Sequence, residues 1–98
     1  MRLLSFAEFE SIALAHGADE VLVRHWDAGQ VVDEHAHPFE AQAIVVAGEM
    51  WLTEAGETRR LVAGDEFHLR AGTLHSERYG PEGATYWVAR RAASPSRN

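Results

Sequence analysis

Hydrophobic and polar positions along this chain predict one short helical segment followed by a series of extended strands. Ser5 and Glu8 have the spacing of a capping box, in which each side chain bonds the backbone amide of the other residue. Phe9 and Ile12 follow at helical spacing, and a glycine is suitably placed to end the helix. We therefore expect a helical segment over residues 1–17, with its Phe and Ile face packed against the main body.

Beyond this segment, the pattern changes to short runs with β-strand character. Each run is rich in β-branched, aromatic or alternating apolar residues, and turn-forming residues such as Gly, Pro and Asp lie between the runs. The eight runs are VLVRHW (21–26), QVVDEH (30–35), AQAIVV (41–46), EMWLTE (49–54), TRRLV (58–62), EFHL (66–69), HSERY (75–79) and TYWVAR (85–90). Eight short strands at this spacing predict an all-β antiparallel sandwich or barrel.

Length and composition fit a single globular domain. The chain has 98 residues, of which 46% are hydrophobic and 24% are charged. A chain of this length and apolar content can form one hydrophobic core but not two. We expect one domain over residues 1–91. The segment 92–98, AASPSRN, has little apolar content and is predicted to be a disordered tail.

Charge and residue usage argue against several partners and chemistries. The net charge is −6, and the nine basic residues are all arginines, three of them near the C-terminus, so nucleic acid is not an expected partner. The absence of cysteine excludes disulfides and thiolate ligands. No apolar run approaches the roughly 20 residues of a membrane-spanning helix. We therefore expect no membrane partner, and a cytoplasmic location is the default expectation.

The clearest candidate chemistry lies in the stretch 29–48, GQVVDEHAHPFEAQAIVVAG. Here His35 and His37 are two residues apart and follow a pair of valines. In an extended strand, residues at this spacing point to the same face, so both imidazoles would project into one space. Converging neutral imidazoles are a common basis for a metal site.

Two glycine-framed motifs give the chain a resemblance to the cupins, which are jelly-roll barrels also called double-stranded β-helices. The first motif has a Gly, a His-x-His pair and a second Gly, and the second motif has two Gly residues followed by a His. The matching residues are Gly29, His35, His37 and Gly48 for the first motif, and Gly64, Gly72 and His75 for the second. The resemblance implies a small single-domain cupin with an all-β jelly-roll barrel and one short N-terminal helix.

The same resemblance implies a metal centre. His35, His37 and His75 match the histidine ligands of the family, and together they would form a three-histidine centre. The implied cofactor is a divalent transition metal, namely Fe, Mn, Ni or Zn. Imidazole ligands suit such ions, and three of them leave coordination positions open for a small molecule.

The carboxylate ligand of the family motif is missing. Ala41 occupies its position, between Glu40 and Gln42. Glu40 would reach the site if the preceding proline allowed a local irregularity, and Gln42 would reach it if a longer motif spacing applied. Glu77 shares strand parity with His75, so it would face the interior and supply either the missing ligand or a catalytic acid or base. The alternative is that Glu77 lies in solvent at the end of its strand.

Several aromatic side chains are candidates for the wall of a pocket beside the centre. They are Phe39, Trp51, Tyr79 and Trp87. Phe39 lies two residues after His37 and could close the pocket mouth, and Tyr79 shares the parity of the second-motif histidine. The two tryptophans are large enough to line a pocket, although such residues also fill cores. Of the remaining histidines, His16 is expected to lie in the last turn of the helix. His25 and His68 are expected to be hydrogen-bonded structural residues or to lie at a subunit contact.

Three classes of function fit these residues, and the fold alone does not choose between them. The first is a metalloenzyme acting on a small organic substrate, because cupins of this size resemble dioxygenases, isomerases and decarboxylases. The second is a non-catalytic module that binds or senses a small-molecule ligand, with or without metal. The third is a structural or interaction protein whose barrel has lost its ligand role.

The segment 43–46 is apolar at both odd and even positions, so both faces of that strand need to be covered. A small sandwich also has exposed edge strands that favour association. We therefore expect a homodimer with two-fold symmetry, the commonest symmetry of such pairs.

Overall fold

A computed structural model describes residues 4–92 as one helix and six strands. The helix, α1, is Phe6–Ala15. The strands are β1 Glu20–Trp26, β2 Val31–His35, β3 Phe39–Glu54, β4 Glu57–Val62, β5 Glu66–Leu69 and β6 His75–Ala92. This order of elements confirms the predicted all-β architecture with one short N-terminal helix.

The helix begins at the predicted capping box. The Ser5 hydroxyl accepts a hydrogen bond from the Glu8 amide at 3.1 Å, and the Ser5 amide donates to Glu8 Oε1 at 2.8 Å. Both bonds satisfy amides that have no partner within the helix. The chain leaves the helix through Gly17, whose φ of +97° suits a glycine. Among the described residues, no helix is both long and apolar enough to cross a membrane.

The helix packs on the outside of the sheets through its phenylalanines. The ring centroids of Phe6 and Phe9 lie 5.5 Å and 5.9 Å from that of Trp87. Ile12 is 49% exposed, so phenylalanine rather than isoleucine makes the predicted packing face. A cavity of about 540 Å³ separates α1 from Ile44 on the sheet. The helix thus covers part of the outer apolar face, and the homodimer stays a prediction.

Two strands are long and bent, and each contains two of the predicted runs. Runs 41–46 and 49–54 form β3, and runs 75–79 and 85–90 form β6. The pairing of β3 with β6 shifts register twice, as β-bulges do when they bend a strand without ending it. The prediction of eight separate strands is therefore wrong in number, whereas antiparallel pairing is confirmed.

The bends divide the strand pairing into two layers. In one layer, the second half of β6 and the first half of β3 lie between β1 and β5. In the other layer, the first half of β6 and the second half of β3 lie between β2 and β4. Buried side chains from both layers, including Val45, Leu52, Tyr79 and Val88, form a single core cluster. This is the expected jelly-roll arrangement, in which both walls share their two longest strands.

The bends depend on two glycines where backbones approach closely. Gly48 has a φ of +79°, and a Cβ atom there would lie 2.2 Å from the carbonyl oxygen of Gly83. Gly83 has a φ of +71°, and a Cβ atom there would lie 2.2 Å from the carbonyl oxygen of Trp26. Any larger residue would force these strands apart.

The C-terminal strand extends into the segment predicted as a tail. The amide of Ala92 donates to Asp19 Oδ2 at 2.7 Å, and Ala92 pairs with Phe39 of β3. The first residue of the predicted tail is therefore part of the sheet. The rest of that segment, 93–98, lies outside the described residues.

We predict that Gly48→Ala lowers the free energy of unfolding by at least about 3 kcal/mol, because the new Cβ meets backbone and disfavours the left-handed conformation. Gly56→Ala is a matched control, since Gly56 has a φ of +78° but open space around its Cβ position. Its expected cost is about 1 kcal/mol. Urea denaturation measures the free energy of unfolding of both variants. Equal losses of stability would show that the close approach of the backbones at Gly48 does not decide the effect.

Candidate metal centre

The fold brings the three predicted histidines together inside the barrel. His35 ends β2 and pairs directly with His75, which begins β6, and His37 lies in the following turn. One ring nitrogen from each lies within 4.8 Å of the others. The Nε2 atoms of His35 and His37 are 3.2 Å apart. His75 is fully buried, and the other two side chains are half-buried.

Backbone hydrogen bonds orient two of these rings. The Nδ1 atom of His35 lies 2.8 Å from the Asp33 carbonyl oxygen, and that of His75 lies 2.9 Å from the Thr73 carbonyl oxygen. Because a carbonyl can only accept, each Nδ1 donates, and each Nε2 keeps its lone pair for the centre. Nitrogens that share an ion at about 2.0–2.1 Å lie roughly 3 Å apart. The donor set therefore fits a divalent transition metal.

The surroundings of His37 favour the neutral form of its imidazole. Burial lowers the pKa of His37, and the nearby His35 and His75 lower it further. The positive charges of Arg90 and Arg24 act in the same direction. A neutral imidazole is the form that binds metal ions, so this environment favours ligation near neutral pH.

Glu77 lies beside the histidines, as its parity with His75 predicts. Its Oε2 atom is 3.5 Å from His75 Nε2 and 3.8 Å from His35 Nε2. The side chain is 6% exposed, so it does not lie in solvent at a strand end. The Tyr79 hydroxyl donates a hydrogen bond to Glu77 Oε1, which leaves Oε2 directed at the histidines.

Aromatic residues form the floor beneath this carboxylate. Tyr79 stacks on Trp26 with ring centroids 5.1 Å apart and an interplanar angle of 14°. Burial raises the pKa of Tyr79 far above its usual range, with Tyr86 and Glu77 adding to the effect. Burial, followed by the charge of Glu77, also raises the pKa of Tyr86. Both phenols therefore stay protonated and available as donors.

The structure corrects the predicted roles of Glu40 and Gln42. Ala41 is buried and faces the interior, so its neighbours on β3 face outward by the alternation of a regular strand. Glu40 pairs with His68 and lies 3.5 Å from Arg91 NH1, on the outer surface. Gln42 is exposed. No register shift follows Pro38, so the irregularity that would turn Glu40 inward does not occur.

Phe39 is the predicted pocket residue that contacts the histidines directly. Its ring stacks on the His37 ring with centroids 4.7 Å apart and an interplanar angle of 15°. The guanidinium carbon of Arg90 lies 4.6 Å from the Phe39 centroid. Phe39 thus connects an imidazole of the centre to a charged side chain on the neighbouring strand.

The two tryptophans proposed for the pocket lie on the outside of the barrel. Trp51 alternates with the buried Met50 on β3, and the Arg78 guanidinium covers it at 4.1 Å. Trp87 contacts the phenylalanines of α1. Their size suggested a pocket role, but strand parity places both away from the centre.

Three inner residues near the centre were not found by sequence reasoning. They are Arg24, Trp26 and Arg90. Arg24 pairs directly with the buried Tyr86, so the alternation of β1 turns Arg24 and Trp26 inward. The alternation is visible in the sequence, but the choice of inner face needs the register with β6.

Comparison with known proteins identifies the family. The family model described as "Cupin domain" matches residues 22–88, which include all three histidines and Glu77. Comparison with curated proteins gives no significant match.

Solved structures with a similar fold include three that are 25–27% identical to this chain. An RmlC-like cupin from Shewanella frigidimarina is 26% identical with a TM-score of 0.67, and the match covers 74% of this chain and 65% of that one. KdgF from a Halomonas species is 25% identical with a TM-score of 0.64, covering 76% and 69%. DMSP lyase DddQ from Ruegeria pomeroyi is 27% identical with a TM-score of 0.69, covering 79% and 40%.

These matches cover between 74% and 79% of this chain. The chain spans just under two thirds of the Shewanella protein and less than half of the DMSP lyase, so they inform the fold and the centre rather than a whole activity. The family model covers more than half of the chain. The protein therefore belongs to the cupin family.

Proposed function

We propose that this cupin holds a divalent transition metal on His35, His37 and His75 and uses it to bind and activate a small organic molecule. The observation that carries the proposal is the convergence of three imidazoles, two of them oriented by backbone carbonyl groups. Fixed tautomers are typical of ligating histidines. When bound, the metal would supply a Lewis-acid centre with open coordination positions.

Glu77 supports a catalytic function rather than metal storage alone. Its carboxylate is buried beside the histidines and held by the Tyr79 hydroxyl. Burying a carboxylate is costly unless it is paired, and a cation between it and the imidazoles would compensate that cost. We propose that Glu77 either completes the ligand set or takes and returns a proton from the bound molecule.

The comparisons support an enzyme that acts on small molecules. A similar structure belongs to a DMSP lyase, at 27% identity. The match covers 40% of that protein, so its substrate is not transferred to this chain. The reaction proposed here is a transformation of a small molecule at a metal centre, of the dioxygenase, isomerase or decarboxylase type.

We predict that the purified protein binds about one divalent metal ion per chain and that His35→Ala, His37→Ala and His75→Ala each weaken metal affinity more than about 100-fold. Elemental analysis and the metal-induced rise in melting temperature measure this effect. His68→Ala is the control, because His68 pairs with Glu40 on the outer surface. Equal metal content in all variants would overturn the metal centre.

We predict that Glu77→Gln weakens metal affinity by about 10- to 100-fold, because it removes the negative charge nearest to the imidazoles. Competition with a chromogenic chelator measures the affinity. The exposed Glu57 provides the control variant Glu57→Gln. Unchanged affinity together with unchanged turnover of any substrate found would remove Glu77 from the mechanism.

We predict that Tyr79→Phe lowers the free energy of unfolding of the metal-free protein by about 1–3 kcal/mol, because the buried Glu77 carboxylate loses its hydroxyl donor. The loss should shrink in a Glu77→Gln background, where no charge needs solvation. Urea denaturation of the four proteins forms a double-mutant cycle. A coupling energy near zero would show that the two side chains do not depend on each other.

A further inference from the structure

Two arginines project from the inner face of one wall of the barrel. Arg24 on β1 pairs directly with the buried Tyr86 on β6, so both side chains lie on the same face of the sheet. Arg90 on β6 pairs with the buried Ala41 on β3 and with Glu20 on β1. Both arginines therefore belong to the interior side of the sheet.

These guanidiniums have unused hydrogen-bonding capacity. The Arg90 Nε atom is buried and has no hydrogen-bond partner. Its NH1 atom lies 3.3 Å from Glu20 Oε1, a carboxylate that is 53% exposed. The Arg24 guanidinium lies 4.8 Å from the Trp26 ring centroid and forms no ion pair within residues 4–92. A buried donor without a partner is costly, and a ligand can satisfy it.

Two arginines on the outer surface do have closely placed acceptors. Arg60 contacts Glu49, and Arg91 contacts Glu40 together with the carbonyl oxygens at the end of α1. The protein carries 15 acidic residues and a net charge of −6, so carboxylate partners are plentiful. Within residues 4–92, Arg24 forms no ion pair, as is also true of the outer residues Arg59, Arg70 and Arg78, and Arg90 has only the largely exposed Glu20.

The missing carboxylate of the family motif would have faced Arg90. Ala41 stands at the motif's Glu position, and it is the direct cross-strand partner of Arg90. Side chains at such positions are about 4.5–5.5 Å apart at their Cβ atoms. A glutamate at position 41 would pair with Arg90, whereas with alanine the one carboxylate that contacts Arg90 within residues 4–92 is the largely exposed Glu20.

The arginines also act on the metal centre. Arg90 lies over Phe39, which stacks on His37. Both guanidiniums contribute positive potential at that imidazole. The interior therefore combines three imidazoles, one carboxylate and two guanidiniums, and the proposed metal would add further positive charge.

We infer that the molecule bound at this centre is a small carboxylate, with its carboxyl group held by Arg90 and its other polar end at the histidines. Arg24, whose cross-strand partner Tyr86 lies on the same strand as Arg90, adds positive charge to the same interior. Planar guanidiniums bind carboxylates through paired, charge-assisted hydrogen bonds. Phe39 and Trp26 would border the carbon atoms between the two ends. This inference rests on the proposed metal centre.

The test uses Zn-loaded protein whose metal content is measured first. Calorimetric titration compares lactate with lactamide and succinate with succinamide, pairs that match in shape but differ in charge. We expect each carboxylate to bind at least about tenfold more tightly than its amide, Arg90→Gln to remove most of that preference, and Arg24→Gln to remove a smaller part of it. Arg90→Lys should keep part of it, because it keeps the charge but not the planar fork.

Arg91→Gln is the matched control, because Arg91 neighbours Arg90 in sequence but points to the outer surface. It should leave the preference intact, and circular dichroism verifies the folding of every variant. Full zinc loading with equal binding of carboxylates and amides would overturn the carboxylate inference and leave the metal centre standing. A failure to load zinc would overturn the metal centre, and the same titrations on the metal-free protein would then decide whether the arginines prefer carboxylates.

Discussion

The close approach of Gly48 to Gly83 is the constraint on which this site depends. Without side chains at these positions, β3 and β6 bend and run through both walls of the barrel. The first half of β6 then carries His75 and Glu77, and its second half carries Arg90 on the facing wall. One strand thus supplies a candidate metal ligand, a carboxylate and a guanidinium to a single interior. A straight strand would place these groups along a line rather than around a space.

The buried polar groups of the interior depend on one another for hydrogen-bond partners and for balance of charge. Tyr79 satisfies one oxygen of Glu77, and the other oxygen faces His75 and His35. The Nδ1 atoms of these two histidines are occupied by backbone carbonyl groups, so their Nε2 lone pairs point toward the carboxylate. Lone pairs and a carboxylate repel one another unless a cation lies between them. The same contacts that orient the rings therefore make the site incomplete in the absence of a positive charge.

Much of this arrangement could be predicted from the sequence, because period-two alternation and glycine spacing are local signals. They predicted the capping box, the strands, the three histidines and the inward direction of Glu77. The prediction failed where the answer depended on which face of a strand is covered. Trp51 is outward only because Met50 and Leu52 are buried. The inner arginines belong to no motif, and their orientation follows from pairing with residues more than 60 positions away.

The alanine at position 41 changes the charge of the interior as well as its shape. With a glutamate there, the family arrangement would hold two carboxylates near the centre, and Arg90 would have an internal partner across the strand pair. With alanine, Glu77 is the one carboxylate found against the histidines within residues 4–92, while both guanidiniums remain. A divalent cation would leave the interior with excess positive charge. Since isolated buried charge is unfavourable, the carboxylate ligand inferred above would balance it. In that complex, the negative charge that position 41 lacks would come from the bound molecule.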